Sequence, residues 1–154
     1  MKIKETLDFF LNLKNNSVEK SEIKVFDKYI GILSDLKNRD LTQKQIESIE
    51  LKLEILNLKT ESEDRKKYLT KKLSEFEKFL KDNLALISDG HYTGYGMVFG
   101  MLIGVLTQLY FGIYSMLGGM VIGMIIGAIM DSEAKKQGRV LKTKIDKNTS
   151  YNNV

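Results

Sequence analysis

The chain is predicted to be all-α, a small charged helical bundle or coiled coil followed by a two-helix transmembrane hairpin. Three observations predict it. The sequence contains no proline, so nothing in it forces a helix to break. Residues 1–89 repeat apolar side chains at three- and four-residue spacing, the period of helices with one buried face. Residues 90–130 then contain no Lys, Arg, Asp or Glu, and an uncharged run of that length marks a membrane segment.

Four helical segments are expected before residue 89. The first is marked by Ile3, Leu7, Phe10 and Leu11 and ends in a turn at Asn15 and Asn16. The second opens on Ser17 as N-cap and carries Ile23, Phe26, Ile30 and Leu33, with a turn at 37–40. The third opens on Thr42, with Gln45 three residues on, the pattern of a capping box. Its apolar face is Ile46, Ile49, Leu53 and Leu56. The fourth begins near Thr60 or Ser62, with Glu61, Glu63 and Asp64 in its first turn, where negative charge is favoured.

This fourth segment has Leu69, Leu73, Phe76, Leu80 and Leu84 on one side and Lys71, Lys72, Glu75 and Lys78 on the other. The charged side is either a solvated face or one laid along an anionic membrane surface. The heptad step extends over only about two repeats per segment, which favours packing within the chain over a coiled coil between copies. With 18 basic and 17 acidic residues, 1–89 is nearly neutral. It is expected to form one cytoplasmic domain that ends at Asp89 and Gly90.

The uncharged stretch is too long for one span. Its 41 residues would make a helix of about 60 Å, twice the ~30 Å hydrocarbon core. Two antiparallel spans fit, at about 92–110 and 114–130. Gly96, Gly100 and Gly104 recur every four residues in the first, and Gly119, Gly123 and Gly127 in the second. Residues four apart share a helix face, so each set makes a smooth groove of the glycine-zipper kind, and close backbone approach is what glycine offers in lipid. Folded about Phe111 and Gly112, the two sets pair at a constant sum of positions: 104 with 119, 100 with 123, 96 with 127. The same register brings Gln108 beside Ser115, a polar pair able to hydrogen-bond across the seam, and Tyr92 beside Asp131. Gly94, Gly112 and Gly118 are left over. Two alternatives stand beside the hairpin: glycine is common in membrane helices, and outward-facing grooves would instead join copies.

Both ends of the hairpin leave on one side. Lys71, Lys72, Lys78 and Lys81 precede it, and Lys135, Lys136, Arg139, Lys142 and Lys144 follow. The positive-inside rule therefore puts both termini in the cytoplasm, with 131–154 as a basic tail disordered at its end. His91, Tyr92 and Tyr95 at one level and Tyr110, Phe111 and Tyr114 at the other suit the two membrane interfaces, with Lys135, Lys136 and Arg139 beside the first. Met1–Lys14 has no unbroken apolar core, so no signal peptide is expected. The abundance of Lys, Asn and Ile suggests a bacterium with an AT-rich genome.

Chemistry is sparsely represented. The sequence has no cysteine and one histidine, which leaves little for a zinc site or a nucleophile–histidine pair. His91 reads as an interfacial anchor before a pH sensor. No Lys, Arg, Asp or Glu lies within 90–130, against an ion path. No phosphate-binding glycine loop or nucleic-acid module is present. No catalytic, cofactor or metal residues are assigned.

With its His91-Tyr92-Thr93-Gly94 opening, Gly-rich hairpin and Asp131-x-x-Ala134-x-x-x-Gly138-Arg139 exit, the segment 79–141 resembles uncharacterised bacterial glycine-zipper membrane proteins that carry a helical cytoplasmic part. The resemblance implies membrane residence and no known activity. The expectation is a non-enzymatic scaffold or adaptor in the bacterial inner membrane, whose partners are the bilayer, a cytoplasmic protein or further copies of itself, and no nucleic acid. The alternative is a membrane-perturbing or pore-forming effector that oligomerises through the hairpin.

Overall fold

The computed structural model describes residues 1–60 and 64–141. Six helices account for most of them: α1 (Ile3–Asn16), α2 (Lys20–Lys37), α3 (Gln43–Ile55), α4 (Arg65–Leu84), α5 (His91–Phe111) and α6 (Tyr114–Lys136). Two-residue strands β1 (Ile87–Ser88) and β2 (Val140–Leu141) pair with each other. The chain divides into two units, one of Met1–Leu86 with Leu141, the other of Ile87–Val140. The second unit therefore extends beyond 90–130 at both ends, and α6 continues through Asp131 to Lys136 without a break where the tail was expected to begin.

In the first unit α1 packs on α2 and α3, and α4 packs on α2 and α3, so the four helices close a ring in the order α1, α2, α4, α3. Phe10, Phe26, Tyr29, Leu33, Ile49, Leu53, Leu69, Phe76 and Leu80 fill its centre, each almost fully buried. Phe10 stacks flat on Tyr29 with ring centroids 4.1 Å apart. The Tyr29 hydroxyl donates to the Leu69 carbonyl at 3.0 Å, which satisfies a polar tip that burial would otherwise penalise. Burial also pushes the Tyr29 phenol above its ordinary range.

The ends of these helices differ from their expected form in instructive ways. Thr42 and Gln45 make the capping box, the Thr42 side chain accepting from the Gln45 amide and the Gln45 side chain from Thr42. Ser17 is no N-cap: α1 runs through Asn15 and Asn16, α2 starts at Lys20 behind Glu19, and the Ser17 hydroxyl donates to Glu22 at 2.9 Å. Helix α2 begins three residues beyond Ser17, so this hydroxyl caps none of its amides. Arg65 completes that cluster with a two-pronged bond to Glu22, at 3.0 and 2.7 Å, the strong geometry for a guanidinium. These bonds from Arg65, assisted by Ser17 and opposed by burial, hold the Glu22 carboxyl below its usual range.

The fourth helix begins at Arg65, later than Thr60 or Ser62, because Asp64 is its N-cap and accepts from the Lys67 amide at 2.9 Å. Glu61, Ser62 and Glu63 lie outside the described residues, as do Lys142, Lys144 and the rest of the tail to 154.

Candidate membrane hairpin

Two helices are long and apolar enough to cross a membrane, His91–Phe111 and Tyr114–Lys136. At ~1.5 Å per residue they measure roughly 31 and 35 Å, against a ~30 Å hydrocarbon core. Phe111 ends α5, Gly112 turns the chain at φ +74°, and Ile113 leads into α6. Few residues other than glycine accept that φ.

The seam between α5 and α6 is built from backbone. A Cβ placed on Gly96 would overlap the Gly123 carbonyl, one on Gly100 the Gly119 carbonyl, and one on Gly127 the Tyr92 carbonyl. The converse holds for Gly119 against Gly100 and for Gly123 against Gly96. A Cβ on Gly104 would lie 2.5 Å from the Ser115 carbonyl oxygen and 2.6 Å from the Met116 Cα. No methyl group fits at any of the six. A Cβ on Gly94 or Gly118 would meet nothing within 4 Å, so both lie off the seam although Gly119 and Gly96, one and two residues on, lie in it.

With glycine on the inside, large side chains point out. All the exposed large apolar side chains of the described residues except Leu11, Val18, Leu51 and Ile55 lie between Tyr95 and Met130. Leu106 is 75 % exposed and Leu109 93 %. This is the reverse of a water-soluble helix pair, whose apolar stripe is the buried one.

The polar contacts of the seam lie near its two ends. Toward the turn, the Ser115 hydroxyl donates to the Gly104 carbonyl at 2.7 Å. Gln108 is exposed, so the expected Gln108–Ser115 pair is replaced by a bond from side chain to backbone. Glycine leaves its carbonyl uncovered, and the short serine reaches it.

At the base, Asp131 of α6 is 5 % exposed and accepts three hydrogen bonds from α5. They come from the Tyr92 amide at 3.0 Å, the Thr93 amide at 2.8 Å and the Thr93 hydroxyl at 2.6 Å. The residue before α5 is Gly90, which has no side chain with which to cap it. The first amides of a helix have no partner within it, and here a carboxylate 39 residues away in sequence supplies one for Tyr92. Negative charge at a helix N-terminus also opposes the positive end of the helix dipole.

The remaining candidate residues divide by level. His91 stands edge-on to Tyr92 and tilted against Tyr95, with centroids 5.3 and 4.8 Å apart. Lys135 pairs with Asp89 at 2.8 Å, and Lys136 with Glu133 at 3.6 Å. Gly138, at φ +69°, closes α6: its own amide reaches the Lys135 carbonyl and the Arg139 amide the Ala134 carbonyl, each at 3.0 Å. This is the paired closure of a Schellman motif. The Arg139 carbonyl accepts from the Ile87 amide at 2.9 Å. Tyr110 and Tyr114, at the far end, are 86 % and 79 % exposed.

Sequence reasoning placed Tyr92 beside Asp131 but overlooked Thr93, whose amide and hydroxyl supply two of the three bonds. A threonine directly after the constant-sum partner was the available signal. Among the described residues, no three His, Cys, Asp or Glu side chains are grouped to hold a metal ion. No family model, curated protein or solved structure matches the chain.

Proposed function

We propose that the protein is a non-enzymatic membrane-anchored scaffold or adaptor. The hairpin of α5 and α6 sits in a bacterial cytoplasmic membrane with both termini on the cytoplasmic side, and the bundle of α1 to α4 binds a protein partner or another copy. One observation carries the reading: the hairpin buries backbone against backbone and presents its large apolar side chains outward. Such a sheath is unfavourable in water and at home in acyl chains. Every N–H and C=O inside a bilayer needs a partner, which two regular helices joined by a short turn provide. Lys135 and Lys136 in the last turn of α6, Arg139 just after it, and the lysines of α4 before α5, favour the cytoplasmic side for both ends. The glycine-zipper resemblance agrees with this and adds no activity.

The test is fractionation and labelling. The protein should sediment with membranes, resist alkaline carbonate, and show tags at both ends only after the cells are opened. Recovery in the supernatant without detergent would sink the proposal.

A second reading, an effector that oligomerises through the hairpin, draws on Gly94 and Gly118, which leave open notches on the outer surface, and on exposed Gln108. The seam glycines, however, are already used within one chain. Purified protein in vesicles should therefore leave an entrapped dye in place; release of the dye would favour the effector.

A further inference from the structure

We propose that the lysine face of α4 docks on anionic phospholipid headgroups of the leaflet from which the hairpin emerges. The inference rests on the membrane reading above and gives the bundle a defined contact there.

Charge is unevenly distributed over the bundle. α4 carries seven basic and three acidic side chains, a balance of +4. α3 carries two basic and three acidic, a balance of −1. Leu69, Leu73, Phe76 and Leu80 take the inner side of α4. The outer side, at the same alternation of three and four, reads Lys67, Lys71, Ser74, Lys78 and Lys81, all exposed, with exposed Thr70 beside them. Between Lys67 and Lys81 no carboxylate falls on that line; Asp64, one step before it, accepts from the Lys67 amide as the helix cap. Glu75 lies to one side and pairs with Lys72 at 3.1 Å. Lys67, Lys71 and Lys78 have no acidic partner among the described residues.

The outer face of α3 is different: Lys44, Glu47, Leu51 and Glu54 mix both signs with an apolar side chain. A line of ammonium groups, with the Ser74 hydroxyl among them, offers hydrogen-bond donors to phosphate oxygens.

Distance makes the leaflet the fitting occupant. Residues 85–90 alone separate α4 from α5, and such a connection spans at most about 25 Å. From Lys67 to Lys81 the line is about 21 Å long, so a helix lying along the surface would set all four lysines within reach of headgroups. The leaflet's potential acts within a Debye length, ~8 Å at physiological salt.

The full chain tests this in lipid nanodiscs. It has no cysteine, so Ser74→Cys accepts a single fluorophore, read against a headgroup-attached quencher. Expected is quenching at least about twofold stronger in discs with roughly a third anionic lipid than in neutral ones, and lost in high salt. Adding Lys71→Glu and Lys78→Glu should abolish the difference while the protein still co-purifies with the disc. A probe at Glu47→Cys on α3 should not respond to lipid charge. Protein that enters both discs but is quenched equally in them overturns the proposal, leaves the membrane reading intact, and points to an acidic protein as the occupant. Equal responses at positions 47 and 74 also overturn it. Failure to enter either disc sinks the membrane reading and this inference together.

Discussion

The bundle and the hairpin are built from the same element and are inverted relative to each other. In the bundle, aromatic and branched side chains interlock, so the helix backbones are held apart by what lies between them. In the hairpin the side chains between the helices have been removed, and carbonyls rest against Cα atoms. Charge lies on the surface of the first unit, whereas the second is sheathed in Leu, Ile, Val and Phe. The difference teaches that helical period alone says little about what holds helices together. The residue that recurs on the shared face decides it: Leu or Phe where water is to be excluded, Gly where it is already absent.

The sharpest way to break this contrast is to put a side chain into the seam. Gly123→Leu should abolish the closed hairpin, a loss beyond about 4 kcal/mol, followed by circular dichroism and gel mobility in rising detergent. Gly118→Leu, one residue outside the seam, should leave the hairpin closed. Equal effects at 118 and 123 would mean that the seam is not where we describe it.

The complementary change empties the bundle. Phe10→Ala removes the ring stacked on Tyr29 and should cost about 3–5 kcal/mol, measured by chemical denaturation of the bundle signal, with the hairpin unaffected.

A smaller effect is expected at the base. Asp131→Ala strands the Tyr92 and Thr93 amides and should cost about 1–3 kcal/mol, with faster hydrogen exchange at those two amides. Asp131→Asn should recover part of this, since one of its two terminal atoms still accepts. Unchanged exchange in both variants would remove the cap from our account.

The smallest effect concerns acid. The Arg65 and Ser17 bonds hold the folded Glu22 carboxyl below its ordinary range. Its contribution is therefore complete above the unfolded value of about 4.3 and is lost as pH falls through the lower, folded value. Because Arg65 is partly exposed, the contribution should stay near or below about 1 kcal/mol. Glu22→Gln should lower stability at neutral pH by that amount and shrink the acid-induced loss to match; an unchanged acid limb would argue that the pair is immaterial.

The fold is legible in the sequence because it is written in spacing. Leu69, Leu73, Phe76 and Leu80 define the inner face of α4 by their intervals, and uncharged composition marks α5 and α6. The hairpin's register is legible only in part: repeats of four on both arms set glycine against glycine, yet the closest approaches join 96 to 123 and 100 to 119, one repeat away from the expected partners 127 and 123, which come next. What spacing does not encode is which groups meet. Ser17 has the residue type of a cap, yet α2 begins three residues beyond it and its hydroxyl donates to Glu22. Ser115 lies beside Gln108 in number, but its partner is a backbone carbonyl that no residue name announces. The cap on α5 escaped for this reason too, since Asp131 bonds mainly to amides. Intervals locate a residue; its partner depends on which groups its neighbours leave unmet.

One consequence of the Asp131 contact concerns time. The ribosome makes the leading arm of the hairpin well before it makes the residue that finishes that arm's first turn. Until Asp131 arrives and the second arm swings back, the nascent arm has an open end. Completion of the pair thus adds a bond that no product ending before residue 131 can form.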